Sequence, residues 1–295
     1  MFEFLKKHDV NYKRNLKISD ISSIKIGGPA DVVAYPKCER ELVSVVDFLK
    51  SSSVPYKITG KMTNILASDE GFRGVIVSTK LFSEIEFSGN LAQVKSGALV
   101  NSLLFSAAKE NLGGLEDLFG IPGTLGGLLH NNGGAGNFDL SKAILYARVY
   151  SPSEKKILLL DNSDLKLSYR NSIFTSRDYV ALSLAIAFVP KTYSEVMHKI
   201  RLAVDRRKLS QPLAFPSLGS VFKREEGIAV SKLIDEAGLK GYKIGSAQIS
   251  KKHAGFIINR GKATSREVLE LIDFIKKEIE RKYGFLPKEE IEFLG

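Results

Sequence analysis

Apolar and polar positions follow two rhythms along this chain. From Glu39 to Lys50, Leu42, Val45, Val46 and Leu49 recur at i, i+3, i+4 and i+7, the spacing of one helix face turned toward a sheet. From Thr264 to Tyr283, Val268, Leu271, Ile272, Ile275 and Ile279 draw a second stripe of the same kind. Thr264 with Glu267 three residues later is a capping-box start, and Gly284 supplies the stop. Ile144 to Val149, Ile157 to Leu160 and Val180 to Val189 are instead runs of β-branched and aliphatic residues, with Ser151-Pro152-Ser153 as a turn between the first two. Pro190 closes the last run. From Thr192 onward the chain changes to helix, loop and charge, which places a domain boundary near residue 190. The mixture predicts an α+β chain with no internal repeat.

The densest punctuation lies between Gly113 and Gly136, where nine glycines and one proline fall within 24 residues. Glycine at that density is costly in backbone entropy. It suits a chain that must take positive φ, or bring its amides to a ligand with no Cβ in the way, and a diphosphate is a natural recipient. Tight turns between strands are the plainer alternative. A second small-polar loop, Gly60-Lys61-Met62-Thr63-Asn64-Ile65-Leu66, stands between the apolar run Val54 to Ile58 and the strand-like Gly74 to Val77. Two such loops could hold one long dinucleotide from both ends. Neither is a P-loop, and no glycine fingerprint of the Rossmann kind follows a strand and opens a helix.

Seven segments, in order, resemble the motifs of the UDP-N-acetylenolpyruvoylglucosamine reductase family, over about Ile24 to Gly295. They are Ile26-Gly27-Gly28-Pro29-Ala30-Asp31, the Gly60 to Leu66 loop, Gly120 to Gly127, Tyr169-Arg170-Asn171-Ser172-Ile173-Phe174, Pro216 to Lys223, Ala247 to Ala254, and Glu290-Ile291. The resemblance implies two FAD-binding subdomains of the vanillyl-alcohol-oxidase type, at residues 1–79 and 80–190, followed by an α+β substrate-binding domain at 191–295. The short spacing resembles the type without an additional substrate-capping insertion. The implied reaction is reduction of an enolpyruvyl ether: NADPH reduces FAD, and reduced FAD reduces UDP-N-acetylglucosamine enolpyruvate to UDP-N-acetylmuramate for peptidoglycan.

Hydride arrival at the vinyl carbon pushes electrons into the substrate carboxylate, so the site needs cations or hydrogen-bond donors aimed there. Arg170 suits this, because its planar fork can grip a carboxylate through two parallel bonds. Ser220 stands at the family's proton-donor position, a role a weak acid can fill only against a very basic carbon. Glu290 matches the C-terminal acid that hydrogen-bonds the carboxyl group. The resemblance further assigns Gly60, Thr63, Asn64, Gly120, Ile121, Pro122, Gly123, Thr124, Gly126, Gly127 and Asn132 to the cofactor. Tyr169, Lys223, Gln248 and His253 fall to the substrate. The bland readings are a surface arginine, a turn serine, a solvated acidic tail and a packed histidine. Lys61, Met62 and Thr63 depart from the family's usual glycines and serine, Lys25 from its usual arginine, and Arg224-Glu225 from its usual Asn-Pro, while a lysine expected near Ser210 is missing.

Composition narrows the rest. At 295 residues and 44% hydrophobic content the chain can fill two or three cores. Tyr179 to Val189 is too short to span a bilayer, and Met1 to Lys7 lacks a signal peptide's apolar region, so a cytoplasmic protein without a membrane partner is expected. The single Cys38 fits a reducing compartment. A net charge of +10 favours anionic partners, yet the basic residues are scattered and no nucleic-acid-binding motif occurs, so no nucleic-acid partner is expected. His8, His130, His198 and His253 lack metal-ligand spacing, so no metal is expected. A monomer is expected. The competing readings are another FAD-dependent oxidoreductase of the same superfamily, and a non-catalytic nucleotide-sugar or nucleic-acid-binding protein.

Overall fold

The helix predicted from Leu42, Val45, Val46 and Leu49 runs over Glu39–Ser51 in the computed structural model, which describes residues 1–136, 138–225 and 227–295, and all four side chains are buried. The helices along the described chain are α1 (Phe2–Lys7), α2 (Glu39–Ser51), α3 (Val100–Lys109), α4 (Leu125–His130), α5 (Tyr193–Ser210), α6 (Val230–Glu236) and α7 (Ser265–Tyr283). Strands are interspersed throughout, so the architecture is α+β. The chain gathers into two compact units. The first contains Met1–Arg14, Val32–Lys61 and Gly74–Arg206, and the second Asn15–Asp31, Met62–Arg73 and Arg207–Gly295. The linear division at 79 and 190 follows chain order; these units instead collect segments distant in the chain.

The first unit has two separate cores. In one, the apolar face of α2 joins Val32, Ala34, Val75 and Val77, and the strand Tyr56–Thr59 pairs in parallel with Phe72–Ser78, Tyr56 opposite Val75 and Thr59 opposite Ser78. In the other, five antiparallel strands lie in the order Lys156–Asp161, Ile144–Ser151, Val180–Ala187, Leu91–Lys95, Ile85–Ser88. One pleat face of this sheet, with Ala92, Val94, Ala147, Val149, Leu184 and Ile186, shares a core with Leu103 and Leu104 of α3 and Leu128 and Leu129 of α4. Each fully buried Leu, Ile or Val contributes about 1.5–3 kcal/mol relative to exposure.

The strand run expected to reach Val189 divides. Regular pairing stops at Ala187, Phe188 donates to the Asn90 carbonyl, and Val189–Pro190 turns to pair with Leu112–Gly113 instead. Proline has no N–H for a central ladder, so Pro190 sits where the chain changes partner. The helical run that follows is α5, and the first unit continues through Arg206.

The second unit packs α6 and α7 on a four-stranded antiparallel sheet, ordered Ser217–Ser220, Phe256–Asn259, Ala247–Ile249, Lys243–Ile244. The predicted stripe Val268, Leu271, Ile272, Ile275 and Ile279 is buried in its core with Ile24, Ile26 and Leu66. The capping box forms: Glu267 N–H donates to Thr264 Oγ1 at 3.1 Å, and Thr264 N–H donates to Glu267 Oε2 at 3.2 Å. Gly284 ends the helix at φ 77°, a left-handed conformation that costs glycine nothing. Asp69 adds a clamp absent from the sequence expectation, accepting from Ser265 N–H at 2.8 Å and Arg266 N–H at 3.2 Å, where a carboxylate also meets the positive end of the helix dipole. No helix among the described residues is long and apolar enough to cross a membrane.

Candidate active site

In the first unit the two glycine-bearing loops touch. A Cβ on Gly60 would lie 2.1 Å from Thr124 Oγ1, so only glycine permits this approach. Gly126 is pressed in the same way against Ser96, whose Cβ lies 2.9 Å from where a side chain would begin. Gly60 and Gly126 therefore serve close packing, and four amides of the Gly120 to Gly127 loop are already occupied. Gly120 N–H donates to Asn101 Oδ1 (2.8 Å), Gly123 N–H to the Ile121 carbonyl (2.9 Å), Gly126 N–H to the Ser96 carbonyl (2.7 Å) and Gly127 N–H to Thr124 Oγ1 (3.3 Å). The sequence suggested amides held open for a diphosphate; these four have protein acceptors, because the loop must satisfy its backbone where it packs on the end of Leu91–Lys95 and on Ala98. Among Gly120, Gly123, Gly126 and Gly127 only Gly120 has a positive φ, 86°. Ile121 N–H donates to the Leu118 carbonyl, Pro122 is exposed, and the buried Thr124 caps α4.

A partly buried ion pair anchors the entry to this loop. Lys191 Nζ lies 3.0 Å from Glu116 Oε1, and the two fill the space a side chain at Gly113 would need. Burial pushes the Glu116 carboxyl up, but hydrogen bonds from its own amide, Lys191 and the Gly114 amide, with the charge of Lys191, outweigh it and hold the group below the ordinary glutamate range. The pairing of Leu112–Gly113 with Val189–Pro190 brings these partners together, and sequence spacing offers no sign of it.

α4 also leads to Arg170. Ser168 and Asn171 exchange backbone hydrogen bonds around a two-residue turn, Tyr169-Arg170, in which Arg170 takes φ 51°. Left-handed backbone costs a non-glycine residue on the order of 1–2 kcal/mol, so the surroundings must hold it. They do so from the end of α4: Asn132 Nδ2 donates to the Ser168 carbonyl (2.9 Å), and Ser172 Oγ donates to the His130 carbonyl (2.6 Å). Arg170 Nη1 reaches the Asn132 carbonyl at 3.4 Å, and its guanidinium carbon stands 5.2 Å from the Tyr169 ring centre. Asn132 is itself buried and also accepts from Ser141 N–H through Oδ1, so its amide group is committed to the protein interior. What it offers the site is support for the turn bearing Arg170.

In the second unit, backbone bonds bring Ser220, Lys223, Glu290 and Asn64 together. Ser220 ends the strand Ser217–Ser220, opposite Phe256 and after a register irregularity that includes Gly219 at φ 78°. The next residue binds on two sides: Val221 N–H donates to the Gly255 carbonyl (2.9 Å), and its own carbonyl accepts from Glu290 N–H (2.7 Å). Lys223 N–H donates to the Lys288 carbonyl at 2.9 Å. Asn64 Nδ2 donates to the Glu290 carbonyl at 2.9 Å, and Glu292 N–H donates to the Asn64 carbonyl at 2.9 Å. Glu290 is half-buried, and neighbouring Glu289 pairs with Lys276 at 2.8 Å. Thr63 lies in this unit and Gly60 in the first, so the division between units falls inside their shared loop. Met62 takes φ 50° and buries its side chain.

Gln248 and His253 hold this framework. Gln248 Nε2 donates to the Gly241 carbonyl at 2.8 Å. His253 Nδ1 accepts from Gly255 N–H at 3.1 Å, which leaves the ring proton on Nε2, and the ring meets Phe256 edge-on at 4.8 Å. Burial, then the charge of Lys240, pushes its pKa below the ordinary histidine value and favours the neutral ring. Ser250 Oγ accepts from Lys252 N–H and His253 N–H, closing the turn. No cluster of three or more His, Cys, Asp or Glu side chains suited to a metal occurs among the described residues.

Comparison with known proteins places this geometry. A family model described as the C-terminal domain of UDP-N-acetylenolpyruvoylglucosamine reductase matches residues 211–294, and one described as a FAD binding domain matches residues 30–156. The UDP-N-acetylenolpyruvoylglucosamine reductase of Clostridium novyi is 38% identical over 283 residues, 96% of this chain and 92% of that protein. The protein of the same name from Caldanaerobacter subterraneus is 39% identical over 93% of this chain and 90% of its own length. A crystal structure of UDP-N-acetylenolpyruvylglucosamine reductase from Thermus caldophilus superposes with a TM-score of 0.82 at 26% identity, covering 97% of this chain and 99% of that one.

The residues of the first unit fit a flavin dinucleotide. Two buried hydroxyls, Thr59 Oγ1 just before Gly60 and Ser96 Oγ on the residue against which Gly126 packs, have no hydrogen-bond partner among the described residues. The missing Cβ of Gly127 would meet nothing nearer than Thr124 Oγ1 at 3.5 Å, and Lys61 is exposed in the other loop. A polar ligand needs space and donors of this kind.

Proposed function

The chain belongs to the UDP-N-acetylenolpyruvoylglucosamine reductase family, and we propose that it reduces UDP-N-acetylglucosamine enolpyruvate to UDP-N-acetylmuramate with Arg170, Ser220 and Glu290 serving the enolpyruvyl group. It is an FAD-dependent oxidoreductase. When bound, FAD would supply hydride transfer from NADPH to the terminal vinyl carbon of the substrate.

The protein's task is to hold the reactants, bear the charge that appears on the carboxylate and deliver a proton. Arg170 holds the carboxylate through its fork, and Tyr169 flanks the guanidinium. Glu290 hydrogen-bonds the carboxyl group. The Ser220 hydroxyl gives its proton to the carbon next to the carboxylate, and Lys223 stabilises the oxygen left behind. Gln248 and His253 keep the frame around Ser220 in register. The observation that supports this reading is the backbone bond from Glu290 N–H to the Val221 carbonyl at 2.7 Å, which joins the Glu290 backbone to the residue that follows Ser220 although the two are distant in sequence.

Residues 1–79 and 80–190 are proposed as the FAD-binding subdomains and 191–295 as the substrate-binding domain, with segments 15–31 and 62–73 folding into the unit that carries 207–295. Gly60, Thr63, Gly120 to Thr124, Gly126 and Gly127 are proposed to line the dinucleotide by packing. The protein is proposed to act in the cytoplasm as a monomer, without a nucleic-acid or membrane partner. The deciding experiment compares NADPH oxidation with and without the enolpyruvyl sugar nucleotide. Oxidation dependent on that compound, by protein with a flavin spectrum, is expected; a flavin-free protein unable to take up FAD would sink the reading.

A further inference from the structure

Asn64 belongs to a loop whose family role is to hold the cofactor, yet its side chain is directed elsewhere. The strand Ile65–Ala67 pairs in parallel with Glu292–Leu294, Ile65 opposite Glu292 and Ala67 opposite Leu294. One residue before that ladder, the Asn64 carbonyl accepts from Glu292 N–H, and Asn64 Nδ2 donates to the Glu290 carbonyl, each at 2.9 Å and the latter across 226 positions of sequence. The side-chain amide thus takes the place of a backbone donor and extends the ladder by one rung. At its other end the Glu290 peptide is tied to the serine strand through its N–H at 2.7 Å from the Val221 carbonyl.

We propose that Asn64 is a positioning residue for Glu290, its side chain fixing the Glu290 carbonyl while the Val221 carbonyl fixes the N–H, so that the two together set the acid relative to Ser220. This rests on the proposed role of Glu290 in substrate reduction. An amide fits the position on chemical grounds. It has a donor to give the carbonyl, whereas the isosteric aspartate would face oxygen with oxygen, and alanine would leave the Glu290 carbonyl to water or without a donor. With the tie gone, Glu290 keeps its N–H bond and Glu292 N–H keeps its bond to the Asn64 carbonyl, but the Glu290 carbonyl is no longer fixed between them, and a displacement near 1 Å at a reacting group can cost about 10²-fold in rate.

The test uses flavin-loaded protein and follows the two halves of the cycle separately by stopped-flow absorbance. Asn64→Ala and Asn64→Asp are expected to slow flavin reoxidation by the enolpyruvyl substrate by roughly 10- to 100-fold, while reduction by NADPH and the bound FAD content stay within about twofold. In a Glu290→Gln background Asn64→Ala should add less than about twofold, because the tie acts only through Glu290. Hydrogen exchange should show the amides of residues 289–294 opening about tenfold faster in Asn64→Ala, with exchange elsewhere unchanged. Loss of FAD with normal half-reactions in the flavin-retaining fraction would make Asn64 a cofactor ligand and overturn the proposal. So would a slowing that multiplies fully with that of Glu290→Gln. If Glu290→Gln itself leaves reoxidation unchanged, the role of Glu290 fails first and the proposal falls with it.

Discussion

The two units position their proposed catalytic groups by different means. In the first, Arg170 rides on a strained two-residue turn secured by particular side chains, Asn132, which reaches to it from one end of α4, and Ser172, which reaches back to the His130 carbonyl there, while glycine packing sets the other end. In the second, Ser220, Lys223 and Glu290 are placed by backbone bonds among three segments, and Asn64 supplies the side-chain tie to Glu290. A site held by side chains depends on the identity of the residues that hold it. One held by backbone ladders tolerates most substitutions beside the reacting groups, because every residue but proline offers the same N–H and C=O.

The largest effect expected is therefore chemical and in the second unit. Ser220→Ala leaves the strand pairing intact and removes only the hydroxyl. Flavin reduction by NADPH should remain near the unaltered rate, and reoxidation by the enolpyruvyl substrate should slow by roughly 10²–10⁴-fold, the range of a positioned general acid. Equal slowing of both halves, seen by stopped-flow absorbance, would make Ser220 a structural turn residue. In the first unit Arg170→Lys keeps the charge and loses the fork; reoxidation should fall by about 10²-fold, the scale of one lost oxyanion donor. Near-normal turnover would take Arg170 out of the site.

The contrast sharpens further with variants that touch only the scaffold. Gly60→Ala forces a methyl group to within 2.1 Å of Thr124 Oγ1, and should lower stability by about 1–3 kcal/mol and weaken FAD retention together. Retained flavin at full thermal stability would show that the two loops need not touch. The smallest effect concerns the anchor of that loop. Because the Glu116 carboxyl is held below its ordinary value, its pairing with Lys191 contributes stability above the unfolded glutamate range, and that contribution is lost as pH falls through the lower folded value. Glu116→Gln should flatten the acid limb of the stability curve measured by denaturant unfolding as pH falls through and below the ordinary glutamate range, and leave the neutral-pH slope unchanged. An unaltered acid limb would mean that the pair does not couple to folding.

How far the sequence could be read depended on the distance between interacting residues. α2 and α7 were legible to their buried faces and, for α7, to both caps, because helix periodicity and capping are local along the chain. The three long strands of the first unit were legible for the same reason. Val189–Pro190 was not, since changing partner from one sheet to Leu112–Gly113 leaves no local mark beyond the proline. The glycine loops were recognisable as loops, but which amides they keep was not, because that depends on what lies against them.

By itself, then, the sequence determined the α+β mixture, the principal helices and strands, the two glycine-bearing loops and the family motifs, all properties of residue type at short spacing. Only the tertiary structure decided that Gly60 meets Thr124, that Glu116 finds Lys191, that Asp69 caps α7, and that Asn64 and Val221 hold Glu290 from opposite sides. Most of these contacts join residues far apart in the chain. They arise only once register and core packing have excluded the many other pairings that the same polar groups could satisfy locally or with water.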